Sequence, residues 1–469
     1  MNTIAENTPL LKQLFALLQA HRASFSQERI YQRAVALVLA EVFVFARHTV
    51  SQLLMALGLV EGDWSAMYRL FSQGRFRYEQ ASEQLMSESL KHVDANDWYV
   101  VVGDTTQTPR NSEKMEGVSW LRNLRTPPFR SGIHHAQRWF NGCWMMPAEH
   151  GYSRAMPLRW IPAFPAKAHR QVTQPCTEWA AALQFLEWGL AQLTQLGRGT
   201  QRMLMLGDGN YDTLELWRRL PERVTLLVRS AKNRVLYYLP TADMHRSRKY
   251  GERAPEPQVL WREKTGWHKV TVLLRGQSRA MQYRLDGPVL RDGASATPLF
   301  LLIIRGEMYT HAGQRKHREP KAYLVNALRT PQGTWTLPLD PATLIFWAWQ
   351  RWEVEVCHRE LKSNFGLGNK QCFNPHAAVL SVQWSAWVYA LLLLSGYRTW
   401  GLCGSPPVPT RWWRGAQRWS LNTLWRAYRA ELWGQPDFRA LWSVSSATWL
   451  EKETSMRALH NAVFGAARS

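Results

Sequence analysis

Two short apolar runs in this chain end on the same pair of residues: Trp98-Tyr-Val-Val-Val102 runs into Gly103-Asp104, and Arg202-Met-Leu-Met-Leu206 into Gly207-Asp208. Each run is compact, apolar and closed by a turn residue, as a buried strand is. Trp139–Met146, Met156–Pro162 and Arg223–Val228 read as further strands, and Thr177–Leu196 as a long helix rich in Ala, Leu, Glu and Gln. Three strands, a helix, a strand, a helix and a strand in that order define an α/β layer on a mixed sheet. Carboxylates at the carboxyl ends of such strands face the crevice where ligands bind. Rigid strands can therefore bring Asp104 and Asp208 close enough to share a divalent cation. A Gly-Asp pair after a strand is also a common turn, and each site taken singly reads as that turn.

Charge narrows the partner. The 469 residues carry 58 Lys and Arg against 36 Asp and Glu, a formal +22. A net charge of this size opposes compaction and favours polyanions, nucleic acid first and an anionic membrane surface second. The most apolar runs, Val35–Ala46 and Val388–Ser395, are shorter than the roughly 20 residues that span a bilayer. The opening MNTIAENTPL lacks the basic and apolar segments of a signal peptide. Five scattered cysteines without framework spacing fit a reducing cytoplasm. The 25 tryptophans serve a large core or base stacking equally well.

Residues 9–95 read as helical. Gln27–Ala46 is one long periodic stretch; Thr49–Leu57 and Trp64–Phe71 flank a Gly-containing break, as in a helix-turn-helix or an ordinary helical hairpin. Arg69, Arg75 and Arg77 lie in and just after the second of these. Residues 232–338 mix basic segments with β-prone runs and form a β-rich insertion. Pro341–Phe365 and Pro375–Tyr397 return to strong helix, Gly404-Ser-Pro-Pro-Val-Pro409 is a linker, and the Trp- and Arg-rich tail is a helical appendage.

In the helix Ala348–Lys362, about 100° per residue puts Ala348, Arg351, Glu355, Arg359 and Lys362 on one stripe. Ile345, Trp349, Trp352 and Val356 form the adjoining apolar stripe, expected to pack on the sheet. Glu355 then sits among three cations, either as a solvated i,i+4 ion-pair face or as a metal ligand beneath a phosphate-binding ridge. Other acids are structural: Asp212 and Glu215 form a plausible capping box, and Asp97 opens its strand at the wrong end. Cys357, His358, Cys372 and His376 do not make a zinc set, because the first two are adjacent on a helix and diverge. Gly366-Leu-Gly-Asn-Lys370 lacks the context of a nucleotide loop. His134-His135 has a turn or surface role.

The spacing Arg351, Glu355, Lys362 resembles the signature helix of bacterial insertion-sequence DDE transposases, in particular the insertion-sequence-four-like superfamily. Gly-Asp-Thr-Thr at Asp104 and Gly-Asp-Gly-Asn-Tyr at Asp208 resemble that family's two aspartate motifs in the same order, and Leu361-Lys-Ser-Asn-Phe-Gly-Leu-Gly368 is also similar. The resemblance covers about residues 97–400. Asp208 and Glu355 are 147 positions apart (355 − 208), as in members carrying a β-rich insertion before the glutamate. One position departs: the family's Tyr three residues before the Arg is Ala348, flanked by Trp347 and Trp349.

The resemblance implies an RNase H-like mixed-sheet core with Asp104, Asp208 and Glu355 as catalytic residues and metal ligands. It divides the chain into a helical DNA-binding region (1–96), the first part of the core (97–231), the β-rich insertion (232–338), completion of the core with the Glu355 helix (339–400), and a helical C-terminal region (401–469). The implied chemistry is cleavage at transposon ends and strand transfer into target DNA by two Mg²⁺ (or Mn²⁺) ions. Arg351, Arg359 and Lys362 would contact phosphates, and Trp347 and Trp349 a base. The implied partners are double-stranded DNA and a second subunit, with no membrane. A catalytically idle DNA-binding protein and a nuclease that cuts without joining are the alternatives.

Overall fold

The computed structural model describes residues 8–433, apart from 124–125, 127–131, 170–171, 173, 242–243, 246, 307, 312 and 405–417. Five helices open the chain: α1 (Pro9–Ala20), α2 (Glu28–Phe43), α3 (Val50–Ala56), α4 (Ser65–Ser72) and α5 (Tyr78–Leu90). Strands β1 (Tyr99–Pro109), β2 (Ser119–Arg122), β3 (Ile133–Met145) and β4 (Ala155–Pro162) precede α6 (Glu178–Gln195). Then come β5 (Met203–Gly207), α7 (Leu214–Arg218), β6 (Val224–Arg229), β7 (Leu236–Tyr238) and α8 (Pro257–Leu260). The β-rich segment supplies β8 (His268–Leu274), β9 (Gln277–Arg291), β10 (Ala294–Ile304), β11 (Met308–His311), β12 (Gln314–His317), β13 (Lys321–Asn326), β14 (Leu328–Arg329) and β15 (Trp335–Thr336). The last helices are α9 (Pro341–Gln350), α10 (Glu353–Ser363), α11 (Pro375–Trp400) and α12 (Leu421–Trp433).

The strands β4–β3–β1–β5–β6 form one end of an 11-stranded sheet. β1 pairs antiparallel with β3 and parallel with β5, and β5 is parallel to β6. This is the mixed α/β arrangement of an RNase H-like core. The segment after β6 does not fold away from it: β13 pairs with β6, and β10 and β9 continue the same sheet.

The sequence places the end of the first strand at Gly103, but β1 runs on to Pro109. Its parallel partner β5 stops at Gly207, whereas the antiparallel ladder to β3 continues through Asp104–Asn141 to Pro109–Ala136. Asp104 therefore lies within the strand, two residues past the last pairing with β5. Close backbone packing explains the glycine before it, since a Cβ at Gly103 would stand 2.6 Å from Met205 and 2.7 Å from Phe140.

α11 is the central post. From Ala386 to Ser395 it is buried on all sides, and α1, α4, α5, α12 and β4 pack around it. It is the one described helix long and apolar enough to cross a membrane, yet 94% of its most apolar window is buried inside the protein. All five cysteines are free thiols. The expected linker and tail, 405–417 and 434–469, fall outside the described residues.

A buried ion cluster ties the N-terminal helices to the core. Glu41 on α2 is fully buried and takes Lys370 Nζ at 2.7 Å, His48 Nδ1 at 2.5 Å and Trp384 Nε1 at 3.3 Å. Desolvation opposes the Glu41 charge, but Lys370 and His48 outweigh it and hold its carboxyl below the usual range. Gly366–Lys370 is thus a structural turn whose lysine is spent on Glu41.

His21, at the C-terminus of α1, donates from Nδ1 to Leu17 O at 2.8 Å and lies edge-on to Trp387. Burial pushes its imidazole from 6.5 down to about 4. Between these values the unfolded chain binds a proton that the folded chain refuses, so stability falls as pH drops through this window and levels off below it. Wild-type protein should lose about 3 kcal/mol more than His21→Leu between pH 7 and pH 4. Urea titrations of both proteins across that range measure the difference; parallel pH curves would exclude it.

Candidate active site

Asp104 and Asp208 each stand two residues beyond the Val102–Leu206 pair on neighbouring parallel strands. Adjacent strands are about 5 Å apart, so the two carboxyls are neighbours. Local hydrogen bonds hold both: Asp104 Oδ1 accepts from the Thr105 N–H at 2.8 Å, and Asp208 Oδ1 accepts from the Asn210 N–H at 2.9 Å, opening a short 3₁₀ turn. Thr105 Oγ1 meets Tyr211 Oη at 2.8 Å, which stitches the two aspartate segments together.

Glu355 arrives from the opposite side of the chain order. The expected single helix is broken: α9 ends at Gln350 and α10 begins at Glu353, with Arg351 and Trp352 between. The Val354 and Glu355 amides reach back only three residues, to Arg351 O and Trp352 O. The break shifts the buried face to Val354, Cys357, His358 and Leu361, while Trp352 is 51% exposed. The apolar stripe expected through Trp352 and Val356 is therefore displaced, because the α10 register restarts after the break. α10 lies across β1 and β4. Glu360 anchors it through buried Arg154 at 2.7 Å and Tyr389 Oη at 2.5 Å, and Glu353 through Arg418 at 3.0 Å.

Glu355 takes Arg351 at 2.7 Å and shares with Asp208 a cleft of about 620 Å³ that Arg229, Lys232, Arg234 and Arg351 also line. Asp104, with its side chain 17% exposed, belongs to the same charge group. Desolvation first, then the charges of Asp208 and Glu355, push its carboxyl from 3.8 up to about 7 against the pull of Arg351. Burial works against the Arg351 charge, but Glu355, Asp104 and Asp208 raise its pKa above the ordinary value. The structure thus brings together the three acids and Arg351.

His358 Nδ1 stands 3.7 Å from Asp104 Oδ2, and desolvation takes its imidazole down to about 3, so at neutral pH it is an uncharged neighbour. Sequence reasoning missed His358, because its only signal is the i+3 step from Glu355 toward the sheet.

The other expected contacts divide. Trp349 lines a second cleft of about 530 Å³ together with Trp352, Arg229, Arg275, Arg305 and Arg351. Arg229, Arg351, Lys321 and a single acid, Glu319, line both clefts, which makes one predominantly basic channel from the carboxylates to the β8–β10 strands. Trp347 is elsewhere: two helical positions from Trp349, it turns by about 200° and lines a separate cavity of about 290 Å³ with His92, Asp97 and Trp98. Arg359 is exposed on α10, outside the Arg351–Glu355 pair, and Lys362 acts electrostatically on His358. The capping box at Asp212 is replaced: Thr213 caps α7, while Asp212 pairs with Arg234 at 2.6 Å and Arg291 at 3.2 Å.

The donor chemistry fits a hard divalent cation. Each of the three carboxylates commits one oxygen to the donors given above. The other oxygens of Asp104, Asp208 and Glu355 accept no hydrogen bond among the described residues. Oxygen-only ligands with surplus acceptors suit Mg²⁺ or Mn²⁺.

A mixed sheet with acids at the ends of its parallel strands, crossed by a helix carrying a third, defines an RNase H-like nucleic-acid-processing core. The chain matches the DDE superfamily endonuclease family over residues 19–287, more than half its length, and the transposase DDE domain family over residues 189–391. It belongs to the DDE superfamily of endonucleases and transposases. No curated protein matches it.

In metal-free protein the Asp104 charge costs stability above its folded pKa of about 7 and costs nothing below the unfolded value of 3.8. Asp104→Asn should therefore stabilise the chelator-treated protein at pH 8 by on the order of 2–4 kcal/mol, and the gain should vanish below pH 4. Chemical denaturation at the two pH values measures it; equal stability at pH 8 would count against the crowding of the three acids.

Proposed function

We propose that this protein is a cut-and-paste transposase of the insertion-sequence-four-like kind, cleaving DNA at the ends of its element and joining them to a target. The observation that carries the reading is the convergence of Asp104, Asp208 and Glu355 at the head of a basic channel. The three carboxylates would hold two Mg²⁺ or Mn²⁺ ions, which when bound polarise the scissile phosphate and acidify the attacking water. Water forms one P–O bond as the P–O3′ bond breaks, leaving a 5′-phosphate and a protonated 3′-OH; that hydroxyl then attacks a target phosphodiester, forming one P–O bond as another breaks. Energy passes from bond to bond, so no nucleotide cofactor enters.

The chain's own groups orient the DNA. Arg351, fixed by Glu355, presents a fork to a phosphate beside the acids, while Arg359 and Lys362 extend the contact along α10. Arg229, Arg275 and Arg305 continue it on the sheet, and Trp349 with exposed Trp352 offers a stacking surface for an extruded base. A second basic surface lies on the N-terminal helices, where burial and then the charges of Arg29, Arg75 and Arg69 lower the Arg33 pKa. Such crowding suits binding of the terminal repeats by residues 1–96. Action would be in the cytoplasm, by a homodimer on double-stranded DNA.

Asp104→Asn, Asp208→Asn and Glu355→Gln should each abolish Mg²⁺-dependent cleavage of DNA bearing the cognate ends while gel-shift binding to those ends survives. Cleavage that persists in Glu355→Gln overturns the assignment. Cleaved ends without joined product would give a nuclease, and binding without cleavage by the wild type would give an idle scaffold.

A further inference from the structure

Among the described residues one group of three metal-ligating side chains has its ligand atoms all within 4.8 Å of one another, and it is not the three acids, whose ligand atoms stand further apart. Glu113 from the β1–β2 connection, His135 from β3 and His169 from the β4–α6 connection each offer a ligand atom, all within 4.8 Å of one another. His135 is not in a turn, as the sequence reads, but within β3, paired with Trp120 of β2. The strand alternation separates it from His134, which takes Gln107 Oε1 at 2.8 Å. The His135 and His169 rings meet at 5.1 Å and 84°, and Trp120 covers His135 at 3.8 Å. His135 Nε2 is shielded from solvent and has no hydrogen-bond partner, an unmet demand that a buried polar atom ordinarily does not carry. The His169 backbone is fixed by its N–H to Val118 O at 2.9 Å, so its segment is held beside the strand.

We propose that Glu113, His135 and His169 bind a transition-metal ion, Zn²⁺ foremost, at a site separate from the carboxylate centre. Two imidazoles and one carboxylate select zinc over magnesium, which takes oxygen and holds its water. Ligand atoms about 2 Å from one ion stand at most about 4 Å apart, so atoms already within 4.8 Å of one another need draw in by no more than roughly an ångström. Glu113 and His169 are exposed and can rotate to do so. Three protein ligands leave the fourth tetrahedral position for water. Along β3, His135 is six residues from Asn141, the register partner of Asp104, hence about 20 Å from the acids. At that range the ion does not take part in DNA cleavage. It clamps two connections to one strand, a structural cross-link at the edge of the sheet.

The full-length chain tests this with zinc alone as the probe. Chelator-stripped protein is titrated with ZnCl₂ in a calorimeter, and the visible spectrum is recorded with Co²⁺ in place of zinc. Both are repeated in Asp104→Asn/Asp208→Asn, which weakens the other centre, and in His169→Ala, an exposed position whose loss leaves the fold intact by circular dichroism. The expected result is one zinc per chain, retained in the double variant, undisturbed by excess Mg²⁺, with the intense bands of tetrahedral cobalt. His169→Ala should weaken zinc by more than about a hundredfold, since outer-shell partners alone are worth up to that much. Absence of stoichiometric zinc, zinc that survives His169→Ala, or zinc displaced by Mg²⁺ overturns the proposal.

Discussion

Like charges resist being gathered, and the centre of this molecule gathers three of them. Desolvation first, and then the charges of Asp208 and Glu355, push the Asp104 carboxyl up to about 7. Such an arrangement persists only where the surrounding structure leaves no alternative. The backbone supplies that compulsion: two parallel strands in fixed register set the aspartates side by side, and the β1–β3 ladder carries β1 past the point where its parallel partner ends. The glutamate is imposed separately, by a helix pinned through Arg154, Tyr389 and Arg418 on either side of it.

The positive charge of the chain has a corresponding distribution. Part of it is internal and already spent, as in Lys370 on Glu41 and Arg154 on Glu360. Arg110 is spent too, its guanidinium bonding Gln137 and the carbonyls of Gly368, Lys370 and Ala378. Another part lines the channel that starts at Arg351, so the site pairs a negative focus with positive walls. A strand of phosphates entering that channel would be drawn by the walls and would need cations at the focus to approach it.

The sequence shows clearly what local pattern controls. Helices with apolar periodicity, the apolar runs leading into the two Gly-Asp pairs and the helical segment that carries Glu355 are where the residues indicate. The polar half of β1 was invisible because Thr106 and Thr108 are buried by partners on β3, not by their own hydrophobicity. The break before α10 has no Gly or Pro to announce it, so Trp352 looked like a core residue. Asp212 resembled a cap because Thr213 beside it satisfies the same pattern, and only the fold brings Arg234 and Arg291 to its carboxylate. Trp347 and Trp349 cannot be told apart by composition; the helix turn between them sends one to the channel and the other away. Glu41 and Lys370 are 329 positions apart (370 − 41), beyond any local rule.

The burial of α11 has a consequence for how the polypeptide comes into being. α1, α3 and α4 are 12, 7 and 8 residues long, too short to persist as isolated helices, and α1 and α4 pack on α11. A nascent chain emerging from the ribosome therefore carries its apolar N-terminal segments without their main support until α11 is made, its start lying 366 positions after that of α1 (375 − 9). Until α11 follows, those segments are natural clients for chaperones. The N-terminal helices and the scaffold around Glu355 mature in the same late step, and a chain interrupted before α11 completes neither.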